Sequence, residues 1–320
     1  MKRVATAVVL IPLVLLAVFK APPWLFVGIL GAVALLALHE YLGLAAGYGA
    51  EPVRLAAYCV VGSLFAALAL SGYLSEVFYR SLPEGAMLPR PLPLYVKLWF
   101  SGFTAIHNGI LLVPLLFLLL ALARRELRSA LPAAAASSLG VYYVAIPLMA
   151  LVSLRSENGG AFLVFYTLVV VWAGDIFAYY VGRAVGRHKL APEISPGKTW
   201  EGAIASFLAS VVLGSLLWHY AATVVDWFER FLLVSNAFPY MTPYPRIPSW
   251  LVCAAVTASV NVSAQFGDLV ESMIKRGAAV KDSGTLLPGH GGILDRVDAL
   301  LFAAPVVWYY AAISTSFSIR

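Results

Sequence analysis

"SMIKRGAAVKDSGTLLPGHGGILDRVDAL", Ser272 to Leu300, decides how this chain is read. Between Lys275 and Asp298 it sets Lys275, Arg276, Lys281, Asp282, Asp295, Arg296 and Asp298, with His290 among glycines. The chain as a whole is only 12% charged and 61% hydrophobic. A charged loop therefore hangs between two apolar segments, and that contrast points to both the medium and the site.

So large an apolar fraction lies outside the range of ordinary soluble domains. A helix needs roughly 20 apolar residues to cross a bilayer core. Segments 4–19, 24–45, 53–73, 107–123, 133–154, 161–182, 200–225, 249–273 and 294–314 meet or approach that length. Hydrocarbon offers backbone groups no water, so each segment must satisfy its own hydrogen bonds as a helix. The expected fold is an all-α polytopic membrane protein of about nine transmembrane helices. No small-x-small cleavage site follows the first apolar run, so it reads as an uncleaved helix.

Lys and Arg favour the side carrying the N-terminus and the loops after spans two, four, six and eight, which places that side in the cytoplasm. Residues 1–154 read as a transmembrane scaffold. Residues 155–320 read as a catalytic bundle with cytoplasmic loops 183–199 and 275–293. The outer connections 74–106 and 226–248 are rich in Pro and aromatics and read as interfacial belts. His39, Glu40 and His107 are isolated polar residues of the scaffold, read as interfacial or helix–helix hydrogen bonds. Cys59 and Cys253 lie in apolar helices without metal spacing and read as packing residues. No nucleic-acid partner is expected, since no basic helix or zinc spacing occurs.

Charge within a span is expensive and normally faces a bundle interior, a cavity or a partner. Three spans carry such acids: Asp175 in "WAGDIFAYYVGRAVGR", Asp268 and Glu271 in "QFGDLVESMIKR", and Asp295 and Asp298 in "ILDRVDALLFAAP". Asp175 lies eight residues before Arg183 and Asp268 seven before Lys275, so both carboxylates fall roughly 10–12 Å below the basic rim. The macrodipole favours an acid in a first turn, which explains Asp295 alone. It explains neither Asp298 nor Asp268, so a shared polar site is expected.

Carboxylates without His or Cys ligands suit a hard cation, above all magnesium. Lys198, Lys275, Arg276, Lys281 and Arg296 exceed what pairing with the acids requires, and "GHGG" lets backbone amides approach a ligand. The sum suggests a phosphate site. In "GRHKLAPEISPGKTWEG" the "GKT" tempts a P-loop reading, but that motif needs glycine where Pro192 stands, and no strand is expected ahead of it. Instead Ser195–Pro196 or Thr199 starts span seven, whose first amides face the cytoplasm beside Lys198, an anion-binding arrangement.

The signature Ser272, Lys275, Arg276, Lys281, Asp282, Pro288, His290, Gly291, Gly292, Asp295, Arg296 and Asp298 resembles, position by position, that of the phosphatidate cytidylyltransferases, or CDP-diacylglycerol synthases. Upstream "SPGKTWEG", with Ser195, Lys198, Thr199 and Glu201, and "GDI" and "GDLVES" resemble the family too. The likeness covers 172–202 and 265–298; the first half matches only in being hydrophobic. It implies transfer of cytidylate from CTP to phosphatidic acid; the short chain without a long polar N-terminal region suggests a bacterial inner membrane, and the Lys and Arg bias puts the active site on the cytoplasmic side. The resemblance also implies magnesium on Asp268, Asp295 and Asp298, with a second cation nearby. Lys198, Lys275, Arg276, Lys281 and Arg296 would hold phosphates, with Ser195, Thr199, Glu201, Ser272, Asp282, Gly291 and Gly292 beside the substrates. Asp175 is left between metal and nucleotide, and His290 between leaving group and loop ordering. A homodimer is compatible with the resemblance. An ion-coupled transporter and a CDP-alcohol phosphotransferase are the alternatives. The first would continue polar residues to the outer side, where the ninth span runs "ALLFAAPVVWYYAAI"; the second lacks its spaced aspartate motif.

Overall fold

The computed structural model describes residues 2–82, 111–124, 126–157, 159–232, 248–286 and 291–316. Its elements are α1 Lys2–Phe19, α2 Pro23–Gly47, α3 Arg54–Ser81, α4 Val113–Ala121, α5 Leu127–Gly140, α6 Ile146–Arg155 and α7 Gly160–Val185, then β1 Lys189–Ala191, β2 Ser195–Thr199, α8 Trp200–His219, α9 Ala221–Leu232, α10 Trp250–Gly277 and α11 Leu294–Ser316. Among the described residues seven helices are long and apolar enough to cross a membrane: α2, α3, α5 joined to α6, α7, α8, α10 and α11. The chain is an all-α membrane protein. The first and fourth expected spans correspond to α1, with a shorter apolar stretch at Leu10–Phe19, and to the nine-residue α4. Residues 107–110 of the fourth, and most of both outer connections, lie outside the described residues.

Local chemistry explains the irregular places. α5 and α6 form one 29-residue helix through a π-turn at Val141–Ala145. Pro147, just beyond, has no N–H to donate back and its ring crowds the carbonyl four residues earlier, so the widened turn relieves both defects. Gly140 lies so close to α2 that a Cβ there would sit 2.7 Å from the Tyr41 ring. Small residues allow such approach where no hydrophobic force drives helices together.

The seventh expected span, 200–225, proves too long. The Tyr220 amide returns to the Leu216 carbonyl at 3.0 Å and closes α8, and α9 begins afresh at Ala221. α9 buries Ala221, Val225 and Phe228 while its other face carries Asp226, Trp227 and Arg230. A helix so divided lies along an apolar bundle rather than across hydrocarbon. Phe228 stacks on Phe19 of α1 at 4.2 Å between centroids.

α7, α8, α10 and α11 pack on one another, and α11 also touches α6 and α2. Their interior is polar in patches, and those patches are satisfied across helices. Asn261 of α10 donates to Ser206 and Ser210 of α8, both at 2.9 Å, and accepts from Gln265 at 2.6 Å. Tyr166 of α7 meets Thr257 of α10 at 2.6 Å. Close approaches set the levels. A Cβ on Gly202 would lie 2.8 Å from the Ala178 carbonyl and 3.3 Å from the Gly182 Cα, and one on Gly267 would lie 3.1 Å from the Ala299 Cα. The C-terminal turns of α7 and α10 thus share one level with the N-terminal turns of α8 and α11.

Candidate active site

At that level the short hairpin Lys189–Thr199 turns the chain from α7 into α8, with Lys189 paired to Thr199 and Ala191 to Ser195. Strand β1 corrects the expectation that none would precede "GKT"; even so, "SPGKT" is itself extended and so cannot wrap a phosphate as a P-loop does. The hairpin is anchored at several points. Thr199 caps α8, its hydroxyl accepting from the Gly202 amide at 3.2 Å. The Trp200 amide donates to the His188 carbonyl at 2.9 Å, and Glu201 takes the His188 ring at 2.7 Å. Lys189 donates to the Pro196 carbonyl at 2.8 Å. Arg276, from the end of α10, reaches the Ile194 carbonyl at 3.3 Å and the Val280 carbonyl at 3.2 Å. Glu201 and Thr199 therefore hold the hairpin, and Ser195 is half-buried within it.

The anchoring aims Lys198 at α10. Its ammonium pairs with Asp268 Oδ2 at 2.7 Å, and Ser272 faces the other Asp268 oxygen at 3.4 Å. Exposed Asp175 of α7 lies within electrostatic reach of Asp268, Lys198 and Arg296. Asp298 of α11 lies within reach of Asp268, Asp175 and Lys275. Asp175, Asp268 and Asp298, on three helices, thus lie within electrostatic reach of one another, with Lys198 paired to Asp268 and Arg296 exposed nearby. Like charges so gathered repel and call for cations among them.

Lys275 and Asp295 face the loop instead. Lys275 pairs with Glu271 one turn earlier and with Asp295 Oδ1 at 2.5 Å. Asp295 Oδ2 accepts from the Ser283 amide at 3.0 Å and the Gly292 amide at 2.8 Å. The Gly292 amide is thereby turned inward to a carboxylate. Gly291 adopts φ 75°, a left-handed conformation that glycine tolerates. Lys281 and Asp282 stand exposed on the loop, while His290 and Pro288 lie outside the described residues.

Among the described residues no group of three or more His, Cys, Asp or Glu could hold a metal ion as placed. Asp175, Asp268 and Asp298 match a hard divalent ion only in donor type, being carboxylates. Asp295, with both oxygens engaged by three donors, fits less well.

Two acids carry more than their sequence context suggested. Glu40, set among scaffold residues, accepts from the Ser283 hydroxyl and from the Ile293 and Leu294 amides. Glu271 is fully buried beside Lys275. The available signal was the same for both, a carboxylate within an apolar span.

Comparison with known proteins decides the family. A model of the cytidylyltransferase family matches residues 1–314. The chain belongs to this family. The likeness thus extends into the N-terminal half, where the motifs alone gave none. The chain is 40% identical over 151 residues to the phosphatidate cytidylyltransferase of Haemophilus influenzae, covering 47% of this chain and 46% of that protein. It is 37% identical over 177 residues to that of Bacillus subtilis, covering 55% and 57%, and 37% identical over 175 residues to that of Brucella abortus, covering 54% and 56%. The chain thus spans about half the length of the curated relatives it matches.

Proposed function

We propose that this chain is a CTP:phosphatidate cytidylyltransferase of a bacterial inner membrane, releasing CDP-diacylglycerol and pyrophosphate. The observation that carries the reading is the Lys198–Asp268 pair beside Asp175, Asp298 and Arg296, a mixed-charge group drawn from four separate segments at one level of an apolar bundle. The matched relatives, each a phosphatidate cytidylyltransferase by name, supply the substrates.

In the proposed reaction a phosphate oxygen of phosphatidic acid attacks the α-phosphorus of CTP. One P–O bond forms, the bond to the bridging oxygen breaks, and pyrophosphate leaves with the electron pair. The attacking oxygen is already ionised near neutral pH, so the chain's work is positioning and charge neutralisation. Magnesium held by Asp268 and Asp298, with Asp175 beside them, would neutralise phosphate charge and stabilise the leaving group. Lys198 and Asp268 keep 25% and 37% of their side-chain surface exposed, so the pair is exchangeable and Lys198 can pass to a phosphate oxygen. Arg276 bonds only to carbonyls among the described residues, so its charge, with those of Lys281 and Arg296, suits the polyphosphate. Lys275 supports from behind, neutralising Asp295 and Glu271.

The proposal includes nine spans with the N-terminus and the acidic layer on the cytoplasmic side, residues 1–154 as scaffold and 155–320 as catalytic bundle, a second cation near the first, and assembly as a homodimer. The test is incubation of membranes containing the chain with labelled CTP, phosphatidic acid and magnesium. Label should enter a CDP-lipid. Absence of labelled lipid, with an intact solute accumulating inside vesicles, would replace the enzyme with a transporter.

A further inference from the structure

Glu40 lies in α2, 243 residues before the first loop residue it touches. It is buried, at 8% exposure, and its carboxylate takes three donors: the Ser283 hydroxyl at 2.8 Å, the Ile293 amide at 2.9 Å and the Leu294 amide at 2.8 Å. The first amides of a helix have no partner within it. At the start of α11 that partner is supplied by another helix, and its negative charge also complements the macrodipole. The backbone is shaped around it: a Cβ on Gly284 would lie 2.8 Å from Glu40 Cδ.

The same helix also holds the other end of the loop. Two turns beyond Glu40, the Tyr48 hydroxyl donates to the Ile274 carbonyl of α10 at 2.9 Å. A Cβ on Gly47 would sit 3.0 Å from that of Ala278. α2 therefore fixes both the exit from α10 and the entry to α11. Ser283 relays the contact, since its amide donates to Asp295 at 3.0 Å and its hydroxyl accepts from the Asp295 amide at 3.3 Å.

We infer that Glu40 is a positioning residue for the transfer reaction, setting the entry of α11 and hence the placement of Asp298 and Arg296 opposite Asp268 and Lys198. This rests on the function proposed above. Glu40 touches no reacting atom; it acts through the loop. Gln at this position keeps the shape but turns an amide NH2 towards groups that donate to Glu40, so it loosens the loop without opening a cavity.

The test uses the full chain in lipid–detergent micelles. Hydrogen exchange is followed in peptides spanning 291–298 and, as internal reference, 160–185, alongside kcat and KM for CTP and phosphatidic acid. In Glu40→Gln, exchange at 291–298 should rise and kcat should fall by about ten- to a hundredfold, the equivalent of one lost charge-assisted hydrogen bond. Both KM values should stay within about threefold and the reference peptides should be unchanged. Glu40→Asp, which keeps the charge, should recover part of kcat. Unchanged exchange at 291–298 would overturn the clamp, and faster exchange with wild-type kcat would reduce it to a structural contact. Should the Gln variant not fold, Ser283→Ala decides: a smaller kcat loss of the same kind supports the inference, and none overturns it. If the wild-type chain makes no CDP-lipid, the proposed function falls while the exchange comparison still judges the clamp.

Discussion

The ammonium of Lys275 bridges Asp295, 2.5 Å away, and the fully buried Glu271 one turn earlier on its own helix. One cation thus serves two carboxylates on two helices. Lys275→Met would strand both of them. Leaving a buried charge without its partner costs about 3–5 kcal/mol. Glu271→Gln leaves Lys275 paired with Asp295 and should cost far less. Thermal unfolding of both variants in one detergent checks this, and equal losses would refute the shared-cation arrangement.

Lys198 presents the opposite case. Its pair with Asp268 is part-exposed, so the pair contributes only about 0–1 kcal/mol to stability. In the proposed reaction its value lies in substrate binding. Lys198→Ala should raise KM for CTP by about tenfold or more, equivalent to about 1.4 kcal/mol, while unfolding shifts little. Initial rates against CTP concentration provide the measurement; an unchanged KM would remove Lys198 from the nucleotide site.

How much of this was legible in the sequence depends on whether a feature is local or distant. The apolar spans and the acids within them follow from helix length and spacing, which one segment carries by itself; that Asp295 turns to Lys275 and the loop instead of joining Asp268 does not. The Thr199 cap was likewise legible within its own segment, as one of two candidate starts, the other being Ser195–Pro196, which lies in strand β2. The hairpin before α8 was hidden, because Lys189–Ala191 and Ser195–Thr199 are too short and polar to show a strand alternation. The break at Tyr220 was hidden because the apolar character of α8 runs on into the buried face of α9. Glu40 was legible only as an interfacial or helix–helix hydrogen bond. Nothing near it in sequence reveals that its partners are Ser283, Ile293 and Leu294, since only tertiary packing of α2 against α11 brings them together.

The Thr199 cap gives a prediction confined to the hairpin. Thr199→Val keeps the β-branched shape favoured in a strand but removes the oxygen that accepts from Gly202. The loss of a cap costs about 1 kcal/mol. Because the hairpin also aims Lys198, KM for CTP should rise as well, by less than in Lys198→Ala. Unfolding and CTP titration of the two variants side by side test the ordering. A Thr199→Val enzyme with both values at wild type would show that Arg276 and Glu201 suffice to hold the hairpin.

Metal dependence separates two aspartates that the sequence treated alike. Removal of divalent ions by chelation should abolish turnover, and added magnesium should restore it. Asp268 offers its carboxylate to an exchangeable lysine, whereas Asp295 is engaged by Lys275, Ser283 and Gly292. Asp268→Asn should therefore raise the half-saturating magnesium concentration by about tenfold or more, equivalent to about 1.4 kcal/mol. Asp295→Asn should sharply reduce turnover by a different route. It places an amide NH2 where donors already point and leaves Lys275 with Glu271 alone, so the loop and the start of α11 lose their anchor. Its residual activity should keep the wild-type magnesium requirement. A magnesium titration of both variants decides between the two roles: a shift for Asp295→Asn as large as that for Asp268→Asn would return Asp295 to the ion.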